Sequence, residues 1–336
     1  MNTITNMNIS TAEKFLFIMD PPETLNMETE TSLLLMEELL NREKIVYWLQ
    51  AENLSLASGQ PVGMVCKVSA VNPLVLAKPV LQNLNTFDAV LLRTDPPVDT
   101  KFLQLTLLLD HLDTNVMQFN SVQALRDFNE KMLPLRWPEF TPPTLISMSA
   151  HQIANFVVEH RHVVLKPLND CSGRGISKIE WSENEKFHDA IRQALTDAHG
   201  RLRFVVAQRY LPGVQRGDKR VFLVNGKPVG MVNRLPEEGS YLANIHQGAT
   251  CEATRLSTRE RRIIKTIAPF LVEQGIFLAG ADFIDGYLTE LNITSPSAVR
   301  QINAVSGGQV QVQIVDAMLA SMHVNPRCCQ VNKVAA

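Results

Sequence analysis

Apolar and polar residues alternate along this chain in short, sharply ended blocks. The run Lys14-Phe-Leu-Phe-Ile-Met-Asp20 is apolar on both sides of any strand it forms and stops at Pro21-Pro22, the mark of a fully buried strand. Thr31 to Asn41 repeats its leucines at helical spacing. Lys44-Ile-Val-Tyr-Trp-Leu49 and Phe87-Asp-Ala-Val-Leu-Leu-Arg93 read as further strands, the latter stopped by Asp95-Pro96-Pro97. Two buried strands flanking a helix, each closing on Asp-Pro-Pro, predict an open α/β layer, in which ligands collect beyond the carboxyl ends of the strands. Residues 101–112 and 121–133 are expected to be helical.

The pattern changes after Pro142-Pro143. Strands are predicted at Val163–Pro167 and Ile176–Trp181 around a loop of small residues, with a helix at about 184–198 and a strand at Arg203–Gln208. Arg220–Val224 and Lys227–Val232 flank Asn225-Gly226, the strongest two-residue hairpin signal. A long loop at 235–250, a helix at 257–274, two strands over 277–293 around Asp285-Gly286 and a helix at 309–322 complete the reading. Hairpins mixed with helices predict α+β architecture here. No internal repeat is present.

Composition narrows the class. The chain has 336 residues, 45% hydrophobic and 20% charged, with a formal charge of −2. This excludes wholesale disorder and gives no basic excess for general nucleic-acid binding. Its apolar runs are far shorter than a bilayer span. Residues 1–13 read as a loose leader without the apolar core of a secretory signal. The five cysteines, Cys66, Cys171, Cys251, Cys328 and Cys329, show neither C-x-x-C nor zinc spacing, which suits a reduced cytoplasm.

Three constellations carry chemistry. In Lys166-Pro-Leu-Asn-Asp-Cys-Ser-Gly-Arg-Gly-Ile176, Gly173 and Gly175 allow backbone N–H groups close to phosphate oxygens, with the Lys166 ammonium beside them. The same residues also suit a plain hairpin with a solvated lysine. Asp282, Glu290 and Asn292 are hard oxygen donors suited to Mg²⁺ and phosphates. Glu290 and Asn292 interrupt the apolar strand Tyr287–Ile293 on one face, where a buried carboxylate needs a cation; a solvated edge is the alternative. Arg220, after Asp218-Lys219, and Arg234 lie at strand ends where they can clamp anions bidentately or serve as ordinary flanking charges. Arg93 and Arg300 carry weaker signals of the same kind. His246, in the long loop, suits a local contact better than a base.

The hairpin at Asp285-Gly286 poses a parity problem. Glu290 and Asn292 share a face. A two-residue turn sets Asp282 opposite Thr289, on the other face; a three-residue loop, Ile284–Gly286, sets it on theirs. A joint metal site is therefore expected to require the three-residue loop.

Taken together, Ile18-Met-Asp-Pro21, Leu92-Arg-Thr-Asp-Pro-Pro-Val-Asp-Thr100, Leu125-Arg-Asp-Phe-Asn-Glu-Lys131, Val164-Leu-Lys-Pro-Leu168, Ala207-Gln-Arg-Tyr-Leu-Pro212, Gly217-Asp-Lys-Arg220 and Leu288-Thr-Glu-Leu-Asn-Ile-Thr-Ser-Pro296 resemble bacterial glutathione synthetases. That family belongs to the ATP-grasp superfamily of carboxylate–amine ligases. The likeness runs from about Phe15 to His323. It implies an N-terminal α/β domain over 1–125 and an ATP-grasp domain over 126–325, with a lid at about 140–205. It implies ATP as co-substrate, bound through Lys131, Lys166, Ser172, Gly173 and Gly175 at the phosphates and Gln208, Tyr210, Leu211 and Asp218 at the base. Arg220, Arg234 and Asn244 are implied in catalysis, Arg93 and Arg300 in substrate carboxylate binding, and Asp282, Glu290 and Asn292 in holding Mg²⁺ or Mn²⁺.

Two stretches depart from the family pattern. Asn169-Asp-Cys-Ser-Gly173 stands where Asp-Gly-Met-Gly-Gly is usual, and Leu242 replaces an arginine two residues before the retained Asn244. The implied reaction joins γ-glutamylcysteine to glycine through an acylphosphate. The alternatives are a sister ligase with another amine and a catalytically silent nucleotide-binding regulator. Small-molecule substrates are the implied partners, with no nucleic acid or membrane; a homo-oligomer is left open.

Overall fold

The computed structural model describes residues 12–170, 173–243 and 248–323. Residues 1–11 of the leader, Ser172, Asn244, His246 and the Cys328-Cys329 pair lie outside the described residues.

Three sheets follow one another along the chain. The first holds β1 (Lys14–Met19), β2 (Ile45–Gln50), β3 (Leu54–Ala57), β4 (Gln60–Val71), β5 (Leu74–Leu76), β6 (Val80–Asn83), β7 (Ala89–Leu92) and β8 (Met117–Gln118). Its order is β3-β4-β2-β1-β7-β8, with β5 and β6 also on β4. β1 runs parallel to β2 and β7, as the Asp-Pro-Pro strands predicted. Helices α1 (Thr31–Asn41) and α2 (Thr100–Leu109) make the connections. The antiparallel flap over 54–83 was invisible to the apolar pattern. Its strands of three and four residues pair with one long strand whose burial alternates, too short a local signal to stand out. The expected helix at 121–133 shrinks to α3 (Val122–Asp127). The Asn129 side-chain oxygen accepts from the N–H groups of Lys131 and Met132, ending the helix in a tight turn.

The second sheet is antiparallel, ordered β11-β10-β12-β9, from β9 (Thr144–Ser147), β10 (His162–Pro167), β11 (Ser177–Glu180) and β12 (Val205–Arg209). It packs with α4 (Ala150–His160) and α5 (Glu185–Ala194) around its own core, which includes Ile153, Val163, Phe187 and Val205.

The third sheet is ordered β15-β14-β13-β16-β17. Its strands are β13 (Asp218–Val224), β14 (Lys227–Leu235), β15 (Thr250–Glu252), β16 (Leu278–Ile284) and β17 (Tyr287–Asn292). Helices α6 (Thr258–Glu273), α7 (Val299–Ser306) and α8 (Val310–His323) pack around it. Ser257-Thr-Arg-Glu260 opens α6 with a reciprocal capping box, which satisfies two otherwise orphan backbone donors.

This sheet is fused to the first. Leu16 and Ile18 of β1 share a core with Ala281, Leu288 and Leu291. Phe15, Phe17 and Met19, on the other face of β1, share a second core with Phe222, Val232 and Val299. Period-2 alternation thus divides one apolar strand between two cores.

Candidate active site

Alternation also builds a row of charge on the third sheet. Asp218 and Arg220 are two apart on β13 and so share a face. Register pairs Asp218 with Arg234 and Arg220 with Asp282. Asp282 lies opposite Glu290, and Gly280 opposite Asn292. Directly paired residues share a face, so Arg234, Asp218, Arg220, Asp282, Glu290 and Asn292 form one row across four strands.

The hairpin reaches this arrangement by a route other than the three-residue loop. Asp285 and Gly286 both have positive φ, 51° and 73°, the signature of a two-residue type I′ turn. Ile284 pairs with Tyr287 and Phe283 with Leu288; the register then shifts, and Asp282 pairs with Glu290. Thr289 is the extra residue of a β-bulge, and its hydroxyl donates to the Asp282 carbonyl at 3.1 Å. The turn obeys local propensity while the bulge restores parity.

Arg220, Arg234 and Asp282 are buried, Asp218, Glu290 and Asn292 are half-buried, and the charges of the row neutralise one another. Arg220 grips Asp282 with two nitrogens, Nε to Oδ1 and Nη2 to Oδ2, the latter at 2.7 Å. Arg234 Nη2 reaches Asp282 at 3.0 Å and Asp218 at 2.8 Å. Asn292 donates to Asp282 Oδ2 at 3.2 Å. Burial pushes Asp282 up, but Arg220 and Arg234 together outweigh it and hold the carboxyl at about 2. Asp218 goes the other way: burial and the nearby Asp282 outweigh the arginines and push it up to about 6. Losing either guanidinium would leave a carboxylate uncompensated in a medium that penalises charge.

Facing this row is Lys166, the penultimate residue of β10, with its ammonium 3.6 Å from Glu290. The space between the second and third sheets is a cleft of about 460 Å³, whose lining extends to Asp95 and Pro96 beyond the carboxyl end of β7. Lys131 and Gly173 line it near Lys166, and Lys131 Nζ donates to the Asp170 carbonyl. Gln208, Tyr210 and Leu211, on and just after β12, also line it, with Gln208 Nε2 held by Thr144 Oγ1 at 3.0 Å. Gly175 sits behind the cleft against Pro167.

Arg93 and Arg300 are placed elsewhere. Arg93 is buried, donating to Ser32 Oγ at 2.9 Å and to the Pro296 carbonyl at 3.0 Å. Arg300 Nε lies 3.4 Å from the Glu30 carbonyl. Both tie the first sheet's domain to segment 294–300. Sequence reading missed Glu130. One of its carboxylate oxygens accepts from Ile293 N at 2.7 Å, Thr294 N at 2.9 Å and Thr294 Oγ1 at 2.7 Å, and its own carbonyl accepts from Leu291 N. That places neighbouring Lys131 beside the strand bearing Glu290. A lone acid before a lysine carries no local signal of this.

Residues 14–126 match the family described as prokaryotic glutathione synthetase, N-terminal domain, and residues 130–307 match its ATP-grasp domain. The chain is 33% identical over 314 residues to the glutathione synthetase of Nitrosomonas europaea, covering 91% of this chain and 97% of that one. It is 35% identical over 321 residues to that of Synechococcus elongatus, covering 91% and 98%. Among solved structures, D-cycloserine synthetase DcsG has a similar fold, with a TM-score of 0.64 at 14% identity over 92% of this chain and 99% of that one. D-alanyl-alanine synthetase A from Vibrio cholerae scores 0.61 at 15% identity over 94% and 99%.

Proposed function

Because the chain belongs to the prokaryotic glutathione synthetase family, and is thereby an ATP-dependent ligase of glutathione synthesis, we propose that the cleft between its second and third sheets is where the reaction takes place. The observation that carries this is the charged row on one sheet face, confronted across the cleft by Lys166, with Lys131 also lining the cleft.

The chemistry sets what these groups must do. A carboxylate is a poor electrophile; taking the γ-phosphoryl group of ATP makes an acylphosphate, which an amine attacks with loss of phosphate. ATP lies with its base against Gln208, Tyr210 and Leu211 and its phosphates toward Lys131, Lys166 and Gly173. Arg220 and Arg234 neutralise charge that builds on the transferring group, from positions already held by Asp282 and Asp218, so little reorganisation is needed. Asp282, Glu290 and Asn292 fit a hard divalent cation, since register brings two carboxylates and an amide to one face; Mg²⁺ or Mn²⁺ held there would neutralise phosphate charge. The second sheet, with its separate core, acts as the lid that excludes water from the acylphosphate. Asp95 and Pro96 mark the end through which the peptide substrate enters. Among the described residues no helix is long and apolar enough to cross a membrane, and we place the protein in the cytoplasm with small molecules as its partners.

ADP release tests the substrate pair. γ-Glutamylcysteine with glycine should give the highest rate among dipeptide and amine combinations. A faster rate with another amine would identify a sister ligase, and ATP binding without ADP release under any pair would identify a silent regulator.

A further inference from the structure

We propose that Asp285, at the tip of the β16–β17 hairpin, is a positioning residue that sets the width of the base end of the nucleotide cleft. The inference rests on Gln208–Leu211 being the base site. An Asp-Gly type I′ turn needs only a residue tolerant of positive φ at its first position. Here the side chain does more. It leaves the hairpin and reaches the helical turn Pro212–Arg216, which directly follows Leu211. Asp285 Oδ2 accepts from the Gly213 N–H at 2.9 Å, and Oδ1 from Arg216 Nη2 at 2.6 Å.

The approach is built from both sides. A Cβ on residue 213 would lie 1.7 Å from Asp285 Oδ1, so only glycine lets the carboxylate come this close. The two contacts are unequal. Arg216 is 78% exposed, and an ion pair to so exposed a partner contributes little. The bond to the Gly213 N–H is charge-assisted and partly buried, and it carries the clamp. The far end of the same turn is held by Asn233, whose Nδ2 donates to the Arg216 carbonyl at 2.8 Å.

The clamp joins two parts of the cleft wall. Leu211 immediately precedes the turn, Val214 lies on it and Ile284 on the hairpin, and all three line the cleft. Their apolar side chains suit a flat aromatic base, and their separation is fixed by the contact between Asp285 and Gly213. The same hairpin carries Asp282, Glu290 and Asn292, so Asp285 also ties the base end to the charged row.

Substitution separates this role from turn formation. Asp285→Gly keeps the turn and removes the clamp; Asp285→Asn keeps the turn and one oxygen to accept from Gly213. Titration calorimetry should show ATP affinity about tenfold weaker in D285G and within about threefold of wild type in D285N, a loss within what one charge-assisted bond can pass to the cleft wall. Inorganic tripolyphosphate, used as a probe without a base, should bind all three proteins equally. Gly213→Ala should weaken ATP binding by itself, and adding D285G should remove its clash, so that the double variant binds no more weakly than D285G alone. Thermal unfolding accompanies each variant; if D285G does not fold, G213A and D285N carry the comparison. Equal ATP affinity in wild type and folded variants, or parallel loss of tripolyphosphate binding, would overturn the proposal alone. Failure of wild type to bind ATP would overturn the base-site reading and this proposal with it.

Discussion

The second and third sheets face each other across one cleft, yet they are held in opposite ways. The third shares both of its cores with the first sheet, so that β1 side chains pack against Ala281 and Leu288 on one face and Phe222 on the other. The second closes on itself: its core runs from Ile153 to Ala207, with no residue from either other sheet. Its described ties to the rest include Val98 N to the Asn169 carbonyl at 3.3 Å, Arg174 Nη2 to the Pro96 carbonyl at 3.0 Å, and Arg209 over the Tyr287 ring. Functional charge follows the same division. The mutually neutralised row of Arg220, Arg234, Asp218 and Asp282 sits on the fused body, where packing prevents displacement. Lys166 sits on the self-contained sheet, 13% exposed and opposite a single carboxylate. On the function proposed above, the charges to be pre-organised lie on the fused body, and the charge that would arrive with closure lies on the separately packed sheet.

The sharpest way to break this comparison is to remove one partner on the rigid side. Asp282→Ala should destabilise the protein by about 3–5 kcal/mol in urea unfolding, because it strands the buried Arg220 guanidinium and leaves Arg234 with Asp218 alone, and should abolish ADP release. An unchanged midpoint would show that the row is not a stability element.

Lys166→Ala on the other sheet should behave in the opposite sense. Its unfolding midpoint should stay near wild type, while ATP binding weakens by about 1.5–3 kcal/mol and turnover nearly disappears. A stability loss as large as that of Asp282→Ala would erase the distinction between the two sheets.

Hydrogen exchange sharpens the comparison without substitution. Strands β10 and β11 should exchange faster than β1 without ligand, and segments 173–176 and 236–243 should gain protection with ATP, Mg²⁺ and γ-glutamylcysteine. Uniform slow exchange in β1 and β10 would remove the argument for a separately moving lid.

The smallest expected effect lies at the edge of the fused body. Lys44 Nζ lies 2.7 Å from Glu13. Burial pushes that carboxyl up, but the bond to Lys44 and a backbone contact outweigh it and hold it below its ordinary 4.5. A lowered folded pKa gives stability that is fully present above the unfolded value and is lost as pH falls through the folded one. Lys44→Met should therefore cost less than about 1 kcal/mol at pH 7, and the difference from wild type should shrink as pH falls below 4.5 and vanish once Glu13 is protonated in both folded proteins.

What the amino-acid sequence determined by itself follows from short-range physics. Apolar runs ending in Asp-Pro-Pro, the Asn225-Gly226 and Asp285-Gly286 turns and the Ser257 capping box each act within a few residues, and each appears where its pattern lies. The motifs also sufficed for the family and its ATP-dependent ligase chemistry. The joint face of Asp282 and Glu290 was another matter. Parity counted outward from the turn placed them on opposite faces, and only the bulge at Thr289 brings them together. A bulge depends on the partner strand and the packing beneath it, which no local pattern carries. The same holds for Arg93, whose guanidinium spans to Ser32 and Pro296, for Glu130 beneath Lys131, and for Asp285 against Gly213. In each case a polar group finds its partner tens to hundreds of residues away, because a buried hydrogen-bonding group must be satisfied by whatever the fold places beside it.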